Sequence, residues 1–145
     1  EYLSLICRES ERLTALIENV LDFAAVERGK RTFALLEGDI AEVLRQATET
    51  FRHRLDEMGI DLRMHVEPGL PRLLLDEQAI TLAVLNLLDN AFKYGDHTPI
   101  DVEARRYSNE VRISVRDRGP GIPKEDLKRV FERFYRSRSK RDTRG

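Results

Sequence analysis

Residues 85–94 read Leu-Asn-Leu-Leu-Asp-Asn-Ala-Phe-Lys-Tyr. On a helix, Asn86, Asn90, Lys93 and Tyr94 stand at i, i+4, i+7 and i+8 and share one face. Two carboxamides, an ammonium and a phenol are costly to bury without partners. Together they suit a metal–phosphate ligand: an Asn carbonyl oxygen for a hard cation, a Lys point charge for phosphate, and a Tyr ring as a wall. The plainer alternative is an ordinary polar helix face. A second set follows at Asp117-Arg118-Gly119-Pro120-Gly121-Ile122, directly after a strand pattern. Its glycines allow a sharp turn and close approach of backbone to ligand. An Asp at a strand end can accept from an amino group such as the exocyclic amine of adenine. Alone, Asp-x-Gly-x-Gly could be a plain turn. It is neither a Walker A loop nor a dinucleotide fingerprint.

These sets must be positioned by elements legible in the pattern. Ile80, Val84, Leu87, Leu88 and Ala91 are expected to turn the helix, capped by Asp76, toward a core. Upstream, Leu3, Ile6, Ser10, Leu13, Ile17, Val20 and Ala24 form a heptad seam in a long helix, widened by Leu16 and Phe23 and ended by Gly29. Residues 32–36 read as a short strand. Asp39 with Glu42 reads as a capping box for a helix to Met58, stopped by Gly59. Ile60, Leu62, Met64 and Val66 alternate as a half-buried strand, and residues 73–75 as a short buried one. Ile100, Val102 and Ala104, then Val111, Ile113 and Val115, form a hairpin about Ser108-Asn109. Short helices are expected from Lys124 and over 130–135. The fold expected is α+β: a two-layer α/β sandwich, helices on one face of a mixed, mostly antiparallel sheet, preceded by a long N-terminal bundle helix.

The chain has 145 residues and a formal net charge of −1, which carries no nucleic-acid-like field. Its one cysteine, Cys7, excludes an internal disulfide framework and fits a reducing compartment. No apolar run approaches the ~20 residues of a membrane span, and no signal peptide is visible. The chain opens mid-helix and stops in a basic stretch, so it reads as a piece of something longer.

Residues 86–94, then Asp-x-Gly-x-Gly-Ile at 117–122, then Val-Phe-Glu-Arg-Phe-Tyr-Arg at 130–136, resemble in order and spacing the N, G1 and F boxes of sensor histidine kinases. Residues 9–23 are similar to the second helix of that family's dimerisation and phosphoacceptor domain. The resemblance implies two parts: residues 1–30 as that helix, and residues 31–145 as the ATP-binding catalytic domain, cut before its second glycine box. It implies ATP and Mg²⁺ as ligands. Asn90 would ligate the Mg²⁺ with Asn86 in support, Lys93 would meet phosphate, and Tyr94 would line the nucleotide. Asp117 would accept from the adenine amine, with Gly119, Gly121 and Ile122 shaping the same pocket. Phe131 and Phe134 would anchor the lid, and Arg136 would reach the terminal phosphate. The implied catalytic set is Asn86, Asn90, Lys93 and Arg136.

Further implications are a homodimer through the N-terminal helix bundle, a response regulator as partner, and a cytoplasmic location in a bacterium. No nucleic acid and no membrane contact by this piece are expected, although an inner-membrane anchor elsewhere in the parent is left open. Related ATPases of the gyrase and mismatch-repair type carry Glu where Asn86 stands. Asn cannot take a proton at neutral pH, so transfer rather than hydrolysis is expected. The phosphoacceptor motif and second glycine box are absent. His53, His65 and His97 fall in a sheet-packing helix, a strand and a turn, outside any phosphoacceptor context, so this piece alone is expected to be inactive. A degenerate regulatory module and an anti-sigma-type serine kinase are the alternatives.

Overall fold

The computed structural model describes residues 32–132 and Tyr135. The chain divides into two compact units, Glu1–Leu35 and Leu36–Gly145. The heptad helix expected over residues 1–30 lies outside the described residues, as do Phe134 and Arg136. All the helices and strands described belong to the second unit.

Helix α1 spans Ile40–Asp56. It begins where Asp39, in extended backbone, turns its carboxylate onto the Ala41 N–H at 2.8 Å. The expected capping box is only half made. Glu42 pairs forward with Arg45 at 2.6 Å and accepts from Gln46 at 2.7 Å. Spacings of three and four residues bring those groups together along the helix surface. The Arg45 hydrogen bond, then that of Gln46, holds the Glu42 carboxyl below the usual carboxylate range. The opposite stripe, Ile40, Val43, Leu44, Ala47, Thr48, Phe51 and Leu55, is buried. Thr48 is the polar member, and its hydroxyl donates to the Leu44 carbonyl at 2.8 Å, so no polar atom is stranded.

Helix α2 spans Glu77–Tyr94 and is capped as the sequence indicates: Asp76 accepts from the Ala79 N–H at 2.9 Å. Val84, Leu88 and Ala91 are buried, with Ile80, Leu85 and Phe92 packed partly against the core. Leu87 departs from expectation, being 47% exposed. At 100° per residue it falls beside Asn90 and Tyr94, whereas Leu85 falls beside Leu88 and Phe92.

Strands β1 (Leu36–Gly38) and β3 (Leu73–Leu75) pair antiparallel as a two-stranded sheet. The first strand thus sits later than the 32–36 expected, because its pairing with β3, Leu36 opposite Leu75, sets the bounds. Leu74 faces outward at 70% exposure, so β3 is buried on one side only. A three-stranded sheet has the order β2–β4–β5, with β2 (Leu62–Val66) parallel to β4 (Ile100–Tyr107) and β4 antiparallel to β5 (Glu110–Arg116). Tyr107 opposite Glu110 confirms the two-residue Ser108-Asn109 turn, with Ser108 at φ 52. Ile100, Val102 and Ala104 are fully buried in one core with α1 and α2. Arg63 and Arg112, at alternate positions, are exposed. This is the α+β arrangement expected: helices over one face of a mixed sheet.

After β5 the chain does not form the short helix expected from Lys124, and the one expected over 130–135 falls partly outside the described residues. Residues 124–131 are a string of turns. Each carries one i+3 bond: Asp126 N–H to Pro123, Arg129 to Asp126, Glu132 to Arg129, and Tyr135 to Glu132. Bonds spaced three residues apart never overlap, so no helical run is nucleated.

Candidate functional site

The C-terminal half of α2 presents Asn86, Asn90, Lys93 and Tyr94 outward, all exposed, on the side away from Val84, Leu88 and Ala91. The helix ends at Gly95, whose N–H bonds the Ala91 carbonyl at 2.8 Å. The chain then turns through Asp96 and His97, both in the left-handed region.

The loop after β5 packs onto that helix end. A Cβ on Gly119 would stand 2.6 Å from the Tyr94 carbonyl oxygen and 2.8 Å from the Gly95 Cα. A Cβ on Gly95 would stand 3.0 Å from the Asp117 Cβ. Glycine meeting glycine is what lets the two backbones touch. Two motifs more than twenty residues apart in sequence are thereby brought to one place.

Three hydrogen bonds and an ion pair fix the junction. The Asp117 carboxylate accepts from the Gly119 N–H at 2.8 Å, closing the loop on itself, and retains lone pairs for another donor. Thr98 Oγ1 donates to the Gly95 carbonyl at 2.6 Å and accepts from the Arg118 N–H at 3.0 Å. The Arg118 side chain reaches Asp101 at 2.9 Å, anchoring the loop to β4. Sequence reading missed Thr98, since nothing local marks a threonine that bridges a turn to a loop.

Lys93 is not free-standing. Its ammonium pairs with Asp89, one turn back. Asp89 also takes Arg54 of α1 at 3.2 Å. Asp89 and Lys93 have the i,i+4 spacing of a helical ion pair, whereas Arg54 lies 35 residues away in the chain.

Ile122 and Phe131, at 50% and 95% exposure, lie in the segment after the loop. There the Tyr135 hydroxyl donates to the Asp126 carboxylate, and Arg129 lies over the Tyr135 ring at 4.1 Å. The bond to Asp126 raises the Tyr135 phenol above its usual range. A cavity of about 340 Å³ lined by His65, Val66, Glu67 and Arg105 lies at the other end of β4, away from this junction.

Among the described residues no cluster of three or more His, Cys, Asp or Glu side chains could hold a metal. A cation at the Asn90 carboxamide would therefore draw most ligands from phosphate and water. That is how Mg²⁺ is commonly held in phosphate sites, so the residues present fit it.

Residues 75–145 match the family described as "Histidine kinase-, DNA gyrase B-, and HSP90-like ATPase". The chain is 31% identical to the mycobacterial sensor histidine kinase MprB, covering 71% of this chain and 68% of that one, with a TM-score of 0.60. The chain belongs to the sensor histidine kinases. It is also similar to the full-length ShkA structure in complex with AMPPNP, with a TM-score of 0.80 and 31% identity over 90% of this chain and 28% of that one. It is 33% identical to the sensor protein RprX of Bacteroides fragilis, over 88% of this chain and 25% of that protein. The chain spans about a quarter of the length of the sensor proteins RprX and KinB and of the histidine-protein kinase AfsQ2. No helix among the described residues is long and apolar enough to cross a membrane.

Proposed function

We propose that the intact protein binds Mg·ATP at the junction of α2 and the Asp117 loop and transfers its γ-phosphate to a histidine outside this chain. A response regulator would receive it. The observation that carries this reading is the contact of Gly119 with Tyr94 and Gly95, which joins a metal- and phosphate-type helix face to an adenine-type acceptor. The likeness to full-length ShkA in complex with AMPPNP supports the nucleotide. Asn90 holds the Mg²⁺ with Asn86 beside it, Lys93 meets phosphate, Tyr94 lines the base, and Asp117 accepts from the adenine amine. Gly119, Gly121 and Ile122 form the floor. Phe131 and Phe134 anchor the lid, and Arg136 meets the terminal phosphate. The metal supplies neutralisation of phosphate charge. Catalysis is then positioning and charge compensation, with Asn86 offering no base for water.

In the same reading residues 1–30 are the second helix of a dimerisation domain and residues 31–145 the catalytic domain. The protein is a homodimer through a four-helix bundle, acting in a bacterial cytoplasm.

Calorimetric titration of the intact protein tests the site. ATP should bind, weaken in EDTA, and exceed GTP. Asp117→Asn should weaken ATP by roughly tenfold or more, because an acceptor becomes part donor against a donor amine. Equal affinity for ATP and GTP would remove Asp117 from the base site. Sedimentation of the intact protein as a monomer would remove the bundle.

A further inference from the structure

Asp89 carries two cations of unequal freedom. Arg54 reaches it from α1 at 3.2 Å, and its guanidinium lies 4.4 Å from the Phe92 ring centroid and 5.5 Å from that of Phe51. Those rings are themselves packed edge to face, at 6.1 Å and 78°. A planar cation stacked on two aromatic rings is pre-organised and loses little more freedom on binding a carboxylate. Lys93 is the other cation. Its side chain is as exposed as that of Arg54, 51% against 50%, but it hangs on a flexible stem with no ring contact among the described residues, and that is the difference between them. On the helix, Asp89 lies toward α1, on the side of Lys93 opposite to Tyr94. The carboxylate therefore draws the ammonium away from the edge that meets the Asp117 loop.

We infer that Asp89 is a parking counter-ion for Lys93, and that Arg54 sets how easily Lys93 leaves it. This rests on the nucleotide reading above. When Lys93 turns to phosphate, Asp89 would be left as an uncompensated, half-buried carboxylate if Arg54 were absent. Arg54 stays in place and keeps it neutralised, so the exchange of Asp89 for phosphate costs little. Asp89 and Arg54 are positioning residues and touch neither nucleotide nor metal.

The two positions should respond with opposite signs. Asp89→Asn releases Lys93 and should tighten ATP by about two- to five-fold, the scale of one half-exposed ion pair. Arg54→Gln leaves Lys93 as the one cation paired with Asp89 among the described residues and should weaken ATP by a similar factor. Neither change should move adenosine, which has no phosphate. In an Asp89→Asn background, Arg54→Gln should lose its effect on ATP, since the group through which it acts is gone.

The experiment is calorimetric titration of the intact protein with Mg·ATP and with adenosine, for the wild type, Asp89→Asn, Arg54→Gln, the double variant and Lys93→Met. Opposite shifts for ATP with adenosine constant support the inference. It is overturned if both variants move ATP and adenosine together, which marks a purely structural role. It is also overturned if Asp89→Asn weakens ATP in a Mg²⁺-dependent way, which makes Asp89 a ligand of the metal. If Lys93→Met leaves ATP binding unchanged, the assignment of Lys93 to phosphate fails first, and the parking role falls with it.

Discussion

At the level of single residues, the junction depends on what two glycines leave out. Gly119→Ala forces a methyl to within 2.6 Å of a backbone carbonyl, which no side-chain rotation relieves. It should shift the loop, lower stability by about 1–3 kcal/mol, and reduce ATP affinity along with it. Chemical denaturation with nucleotide titration on the same variant checks both effects. Tyr135 offers a different handle. Its phenol is raised by the Asp126 hydrogen bond, with desolvation adding to it. A group whose folded pKa lies above its unfolded value, about 10 for tyrosine, contributes fully below that unfolded value and loses its contribution as pH rises through the folded one. The bond to Asp126 should therefore hold at neutral pH and open only in the alkaline range. A tyrosinate absorbance titration, taken as the difference between wild type and Tyr135→Phe, should show a late component that Asp126→Asn moves earlier.

Among the elements, α2 has two duties on opposite sides. Leu88 is fully buried, while Leu87, its neighbour in sequence, is 47% exposed on the side of Asn90 and Tyr94. Leu88→Ala should cost about 2–5 kcal/mol, through lost burial and the cavity left behind. Leu87→Ala should stay within about 1 kcal/mol in urea unfolding, as expected of a side chain half in water. Equal costs would mean that the helix is rotated from the orientation described. The segment after β5 differs in kind. Over the described residues 123–132 its non-overlapping turns share no hydrogen-bond ladder and bury few side chains, so that stretch has little local stability of its own. An element of that character can rearrange around a ligand at small cost.

For the protein taken entire, the nucleotide binding proposed above would be linked to folding. A ligand that binds only the folded state at a hundred times its Kd stabilises by about 2.7 kcal/mol. Thermal unfolding of the intact protein should therefore shift upward by several degrees with Mg·ATP, and by less with ATP in EDTA. Adenosine at the same multiple of its own Kd should shift it equally. Absence of any shift with Mg·ATP would count against the site.

Local features were legible in the residues alone, because each is governed by groups within a turn or two of one another. Asp76 caps α2, alternating Val, Ile and Ala residues pair β4 with β5, and Ser108-Asn109 closes their hairpin. The order and spacing of residues 86–94 and 117–122 likewise pointed to the family without any coordinates. Where local signals were short or shared, the sequence misplaced the outcome. The first strand moved to 36–38 because its partner β3 sets the register. Leu87 was misjudged because apolar type does not reveal which arc of a largely apolar helix faces the core. Residues 124–132 look helical but lack an overlapping ladder. It took tertiary packing to lay Gly119 on Gly95 and to bring Arg54 across from α1 to Asp89. Both contacts join segments far apart in the chain. They exist because α1 packs on α2 and β2 while α2 packs on β4 and β5, which brings Arg54 beside Asp89 and the end of α2 beside the loop after β5.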